Sequence, residues 1–191
     1  MSAKNILLTG QPGSGKTSLI KKVLEQAPFS VGGFLSNEMR RGNQRVGFTL
    51  DTLNGQRGIL AHIDLDTDHR VGKYHVDVNS LESVGVQAIE DALDEHDVVI
   101  IDEIGKMELL SDRFQQVLES ALKSHKPLLG TVMQGKNRLT DELKDRPDVS
   151  VFHVNEETRS YLVNEIILRL NSIISNGHGS NGNNGSGNGA N

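Results

Sequence analysis

The sequence of 191 residues predicts an α/β fold: a mostly parallel sheet covered by helices, with an antiparallel β insertion after the first helix. Three observations predict it. A glycine-rich loop at residues 10–17 joins a short apolar run to an amphipathic helical stretch. Residues 31–78 are rich in glycine and in short alternating segments. After residue 78, helical and strand-like segments alternate, the pattern of strands joined by crossover helices.

The elements follow in order. Asn5-Ile6-Leu7-Leu8-Thr9 is a short apolar run that suits a buried strand. Leu19, Ile20, Val23 and Leu24 share one face of a helix that begins at Lys16, and Ala27-Pro28-Phe29 ends the pattern. In the region from Val31 to Val78, turn signals at Arg41-Gly42-Asn43, Leu53-Asn54-Gly55 and Val71-Gly72-Lys73 separate the segments. They predict three or four antiparallel strands. Asn79-Ser80 reads as the start of a helix reaching about Leu93, with Leu81, Val84, Ala88, Ile89 and Ala92 as its apolar stripe. Val98-Val99-Ile100-Ile101 suits a central strand buried on both faces. Ser111-Asp112 opens another helix, Leu128 to Val132 is a strand, and a short helix is expected near Leu139 to Lys144. Val149 to Val154 is the last strand, and the last helix runs from about Thr158 to Ile174.

This pattern gives one domain over residues 1–175, with the insertion at 31–78 inside it. Residues 176–191 are almost wholly Gly, Asn and Ser, a composition that cannot bury enough apolar surface to offset ordering entropy. A disordered tail is expected there.

The glycine-rich loop reads Gly10-Gln11-Pro12-Gly13-Ser14-Gly15-Lys16-Thr17 and matches G-x-x-x-x-G-K-[ST] without a mismatch. A triphosphate is a dense anion that converging backbone N–H groups can hold. The helix start that follows adds unpaired N–H groups and the positive end of its dipole. Lys16 supplies a point charge for the β- and γ-phosphates, and the Thr17 hydroxyl can ligate Mg²⁺. With Ser18 in the same first turn, Gly10 to Ser18 are the expected phosphate-binding residues.

Asp102-Glu103 directly follows the apolar run, as in a Walker B strand. Asp102 is the second expected Mg²⁺ ligand, with Thr17. Glu103, one residue on, can orient or deprotonate a water in line with the γ-phosphate. Asp102 and Gly105 also fit the D-x-x-G spacing of GTPases, but no N-K-x-D for reading guanine occurs in the chain. Lys106 reads either as a solvated lysine or as a helper of transition-state charge. Glu108 reads as a surface residue in preference to a second carboxylate at the metal. Arg40, Arg41, Arg45, Arg113 and Arg138 are candidates for a charge-stabilising arginine, and the sequence does not choose among them.

Bulk properties narrow the classes. The net charge of −5 argues against a nonspecific nucleic-acid binder. The absence of Cys excludes disulfides and thiolate metal sites. No apolar run approaches a membrane span, and no secretory h-region opens the chain, so an intracellular location is expected. No protein partner is legible.

Through these two motifs the chain resembles the small P-loop nucleoside-triphosphatases of thermophilic prokaryotes and animals. Asp102-Glu103-Ile104-Gly105-Lys106-Met107-Glu108-Leu109 carries the resemblance most specifically. Gly33 to Arg40, Gly47-Phe48, Val71 to Tyr74 and Leu129 to Val132 add to it, and it covers about residues 4–174. The resemblance implies a P-loop fold similar to that of nucleotide kinases. It implies slow, Mg²⁺-dependent hydrolysis of ATP, GTP, CTP and UTP to diphosphate and phosphate, with several bases accepted. It places phosphate binding at Gly10 to Thr17, metal and water activation at Asp102 and Glu103, and a further nucleotide segment at Val98, Val99, Ile100, Ile101, Asp102, Glu103, Ile104 and Gly105.

Two other activities share the loop. A nucleotide or nucleoside kinase would use the β insertion as its acceptor site, but no arginine-rich lid segment is present. A nucleotide-dependent binding module would use slow hydrolysis as a timer.

Overall fold

A single nine-stranded sheet organises the chain in the computed structural model, which describes residues 3–178. The strands are β1 (Asn5–Thr9), β2 (Val31–Arg41), β3 (Gln44–Thr52), β4 (Arg57–His62), β5 (Arg70–Val71), β6 (Tyr74–Val76), β7 (Val98–Ile104), β8 (Leu128–Val132) and β9 (Val149–His153). Their order across the sheet is β5-β6-β4-β3-β2-β7-β8-β1-β9. β2, β7, β8, β1 and β9 are mutually parallel, and the remaining pairs are antiparallel. The α/β architecture expected from the sequence is therefore present.

The central strands are apolar throughout because both faces are covered. Along β7 the side chains alternate. Val99 and Ile101 enter a core with Phe34, Leu81, Ile89, Phe114 and Leu118. Val98 and Ile100 enter a second core with Leu19, Ile20, Val23, Leu162, Ile166 and Leu170. Helices α3 (Gln87–Glu95) and α4 (Asp112–Lys123) supply the first core, and α1 (Lys16–Gln26) and α6 (Arg159–His178) supply the second. The short helices α2 (Val78–Ser80) and α5 (Arg138–Lys144) complete the set.

The structure differs from the sequence reading in five places. The insertion contributes five strands, because the two-residue β5 is too short to show a period. Its first strand is also a core strand: Val31 to Leu35 pair in parallel with Val98 to Asp102, and only the remainder of β2 belongs to the antiparallel layer. The helix expected at Asn79 starts one residue earlier, because Asp77 caps it by accepting from the Ser80 N–H (2.9 Å). A π-helical segment, Leu81–Val86, follows before α3. The last helix passes Ile174 and takes in Asn176, Gly177 and His178. The rest of the expected tail, residues 179–191, lies outside the described residues.

The insertion is welded to the core by Phe34. It is fully buried, and its ring lies 6.5 Å from that of Phe114 on α4. Phe34→Ala should cost about 3–5 kcal/mol through lost burial and the cavity left behind. A lower urea midpoint with an unchanged slope checks this.

Candidate functional site

All the parallel strands end at one edge of the sheet, where ligands bind in such folds. β1 ends at Thr9, β7 reaches Asp102 and Glu103 near its end, and β8 ends after Thr131. The glycine-rich loop leaves β1 there and turns into α1. Gly15, the residue before α1, has φ 93°, a left-handed conformation that an L side chain resists. The first turn of α1 leaves N–H groups without intrahelical partners. Lys16 folds back over the loop, its Nζ donating to Gly10 O (3.0 Å) and Gln11 O (3.4 Å).

Asp102 is only 2% exposed. Thr17 Oγ1 donates to its Oδ2 (2.6 Å), and Thr131 Oγ1 donates to its Oδ1 (2.5 Å). Burial pushes the Asp102 carboxyl above its ordinary range, against those two hydrogen bonds and the charges of Lys16 and Lys21. Burial also raises Glu103; Lys16 opposes that shift and the neighbouring Asp102 charge adds to it. A basic carboxylate beside an ordered hydroxyl–carboxylate pair is suited to taking a proton from water.

The structure thus brings Gly10 to Ser18, Asp102, Glu103 and Gly105 to one edge. It does not bring Val98, Val99, Ile100 and Ile101 there. All four are fully buried in the two cores, as is Ile104, so they support the site and do not line it. Glu108 corrects the surface reading. It is 4% exposed, and its Oε2 accepts from the Gly105 N–H (3.1 Å). A Cβ on Gly105 would lie 3.1 Å from Glu103 Oε1 and 3.2 Å from Glu108 Oε2, so both carboxylates flank that glycine. Lys106 is exposed.

The five candidate arginines are held elsewhere. Arg40 and Arg45 pair with Glu38, Arg41 with Asp64, Arg113 with Glu90, and Arg138, 88% exposed, with Glu142. Two contributors escaped the sequence reading. Thr131 was legible as a polar residue at the end of an otherwise apolar strand. Arg159 gave no signal; it lies against Gly15, where a Cβ would be 3.2 Å from its Cδ.

The donor set can be tested against a metal. Thr17 and Asp102 offer hard oxygens, the kind Mg²⁺ takes. Among the described residues no group of three or more His, Asp or Glu could hold a metal ion. A site with two protein oxygens suits Mg²⁺, which dehydrates reluctantly and keeps several waters. Among the described residues, no helix is long and apolar enough to cross a membrane.

Residues 5–167 match the protein family described as NTPase. A nucleoside-triphosphatase THEP1 of Thermotoga maritima is 47% identical over 165 residues, covering 86% of this chain and 94% of that protein. The human cancer-related nucleoside-triphosphatase is 38% identical over 186 residues, covering 89% and 98%. The crystal structure of THEP1 from Aquifex aeolicus superposes with a TM-score of 0.80 at 30% identity, covering 87% of this chain and 98% of that one.

Glu108 has a consequence for stability. Burial, reinforced by the charges of Glu103 and Asp102, pushes its carboxyl up to about 8. Its ordinary value is 4.5. Below that value both folded and unfolded chains hold the proton, and the group adds no pH dependence to folding. As the pH rises from there to about 8, the unfolded chain alone ionises, so the folded state loses stability. Glu108→Gln should remove this part of the decline. Urea midpoints of the metal-free protein at about pH 5 and about pH 8 test it: the wild type should lose more stability between them than the variant.

Proposed function

The chain belongs to the NTPase family and is a nucleoside-triphosphatase, and from that premise we propose that it hydrolyses nucleoside triphosphates to diphosphate and phosphate with Mg²⁺, slowly and with broad base tolerance. The observation that carries this reading is the convergence of Thr17, Asp102 and Glu103 beside the loop.

The loop residues Gly10 to Thr17 hold the phosphates. Their N–H groups and the start of α1 meet negative charge without reorganising. Ser14 Oγ, a buried oxygen without a hydrogen-bond partner, is a further donor in the loop. Lys16 moves its ammonium from Gly10 O to the β- and γ-phosphate oxygens and stabilises charge on the transferring group. Thr17 and Asp102 would hold Mg²⁺, which would supply positive charge at the phosphate oxygens. Glu103 accepts a proton from the attacking water, and its raised basicity serves that step. Broad tolerance follows because these groups all address phosphate. The two-ligand metal site and the half-buried base support hydrolysis rather than transfer to an acceptor.

Glu103→Gln should retain nucleotide affinity while hydrolysis falls by about 10²-fold or more, the scale of a lost general base. Lys16→Ala should weaken binding as well. Phosphate release with ATP, GTP, CTP and UTP, each with and without Mg²⁺, tests the whole reading. Wild-type rates in the Glu103→Gln variant would remove Glu103 from its role. Undiminished turnover without divalent metal would remove the metal.

A further inference from the structure

The loop after β9 lies directly against the glycine-rich loop. Val154 N donates to Thr9 O (2.7 Å), and a Cβ on Gly10 would lie 2.6 Å from Val154 O. The segment from His153 to Arg159 locks itself. Asn155 Oδ1 accepts from Thr158 N (2.8 Å), and Thr158 Oγ1 accepts from Asn155 N (3.0 Å) and donates to His153 O (2.8 Å). Arg159 N then donates to Asn155 O (3.1 Å). Arg159 therefore projects from a fixed support.

Its exposed side chain crosses the start of α1. A Cβ on Gly15 would lie 3.2 Å from Arg159 Cδ and 3.3 Å from Nη1. Beyond it α1 and α6 frame a mostly polar cleft of about 450 Å³, lined by Lys22, Gln26, Glu156, Arg159, Ser160, Val163 and Asn164. That volume falls in the range of small-molecule sites. Among the described residues Arg159 forms no ion pair, unlike the five arginines considered from the sequence.

The two sides of α1 face different things. Thr17 and Lys21, one turn apart, face Asp102 and Asn37. Lys22 and Gln26, also one turn apart, face α6 and the cleft. A nucleotide with its γ-phosphate at Glu103 and its metal at Thr17 must carry its nucleoside away from that face. The Arg159 cleft is the built surface that continues from the loop on the other side.

We propose that this cleft receives the nucleoside end of the substrate, with the Arg159 guanidinium stacked on the base. The inference rests on the hydrolase reading above. A planar cation stacks on any aromatic face without reading its hydrogen-bond edge, so it binds bases while tolerating their identity. Purines, with the larger face, gain more than pyrimidines.

The test is binding of the non-hydrolysable imido analogues of ATP and CTP, and of inorganic tripolyphosphate, in Mg²⁺, to wild type, Arg159→Ala and Arg159→Lys. Arg159→Ala should bind the ATP analogue about 10-fold or more weakly, the CTP analogue less affected, and tripolyphosphate as the wild type does. Arg159→Lys keeps the charge without the plane and should resemble Arg159→Ala. Unchanged ATP-analogue binding in Arg159→Ala, an equal loss for tripolyphosphate, or full rescue by Arg159→Lys would overturn the stacking role. Failure of the wild type to bind either analogue would overturn the hydrolase reading and this inference with it.

Discussion

The Asp102 carboxylate, held between the hydroxyls of Thr17 and Thr131, is the constraint on which the site depends. One hydroxyl comes from the first turn of α1 and the other from the end of β8. A buried carboxylate costs several kcal/mol in lost hydration. Two hydrogen bonds to a charged group return about 1.5–3 kcal/mol each. Burial outweighs them, since the carboxyl stays above its ordinary range. Asp102 therefore contributes little net stability. What it fixes is position: the helix that carries Lys16 and Thr17 is tied to the strand that carries Glu103.

This tie requires a particular strand order. β8 lies between β1 and β7, so the loop strand and the acidic strand are not neighbours. Thr131 can reach Asp102 because β8 pairs in parallel with β7, with Ile101 opposite Gly130. On the far side β2 pairs with β7 up to Leu35 and Asp102, then continues past it into the antiparallel layer. The insertion is thus an extension of the core sheet. Its Asn37 meets Lys21 of α1 (2.9 Å) on the side of the helix that also carries Thr17.

The legible parts were those set by local pattern. Loop and helix from Gly10 to Gln26 follow from glycine placement and apolar spacing, and β7 follows from four consecutive β-branched residues. The parts that were not legible depend on how the chain turns in space and on partners distant in sequence. Glu108 reads as surface because it is a carboxylate with Lys106 two residues before it, yet the chain turns it inward, between Met107 and Leu109, to accept from the Gly105 N–H, three residues away. The resemblance places Val98 to Ile101 in the nucleotide segment, whereas their own apolar pattern already reads as a strand buried on both faces, which has no side chain left to meet a ligand. Strand order across the sheet, which brings Thr131 to Asp102, has no one-dimensional signature at all.

Arg159 shows the same limit from the other direction. The arginines that drew attention lie near glycines or helix starts, and each is neutralised by a carboxylate close by. Ion pairing between exposed side chains is cheap and common, so proximity in sequence to a motif says little about which cation is available to a ligand. Availability depends on a support that holds the side chain against the site without supplying a counter-charge. The loop from His153 to Arg159 does this with hydroxyl, amide and backbone groups alone. Those hydrogen bonds are uncharged, and although Glu156 lines the same cleft, Arg159 forms no ion pair with it. In the proposed arrangement, a phosphate loop that recognises only the polyanion would leave discrimination among bases to the stacking contact, and such a contact responds to the size of the base more than to its identity.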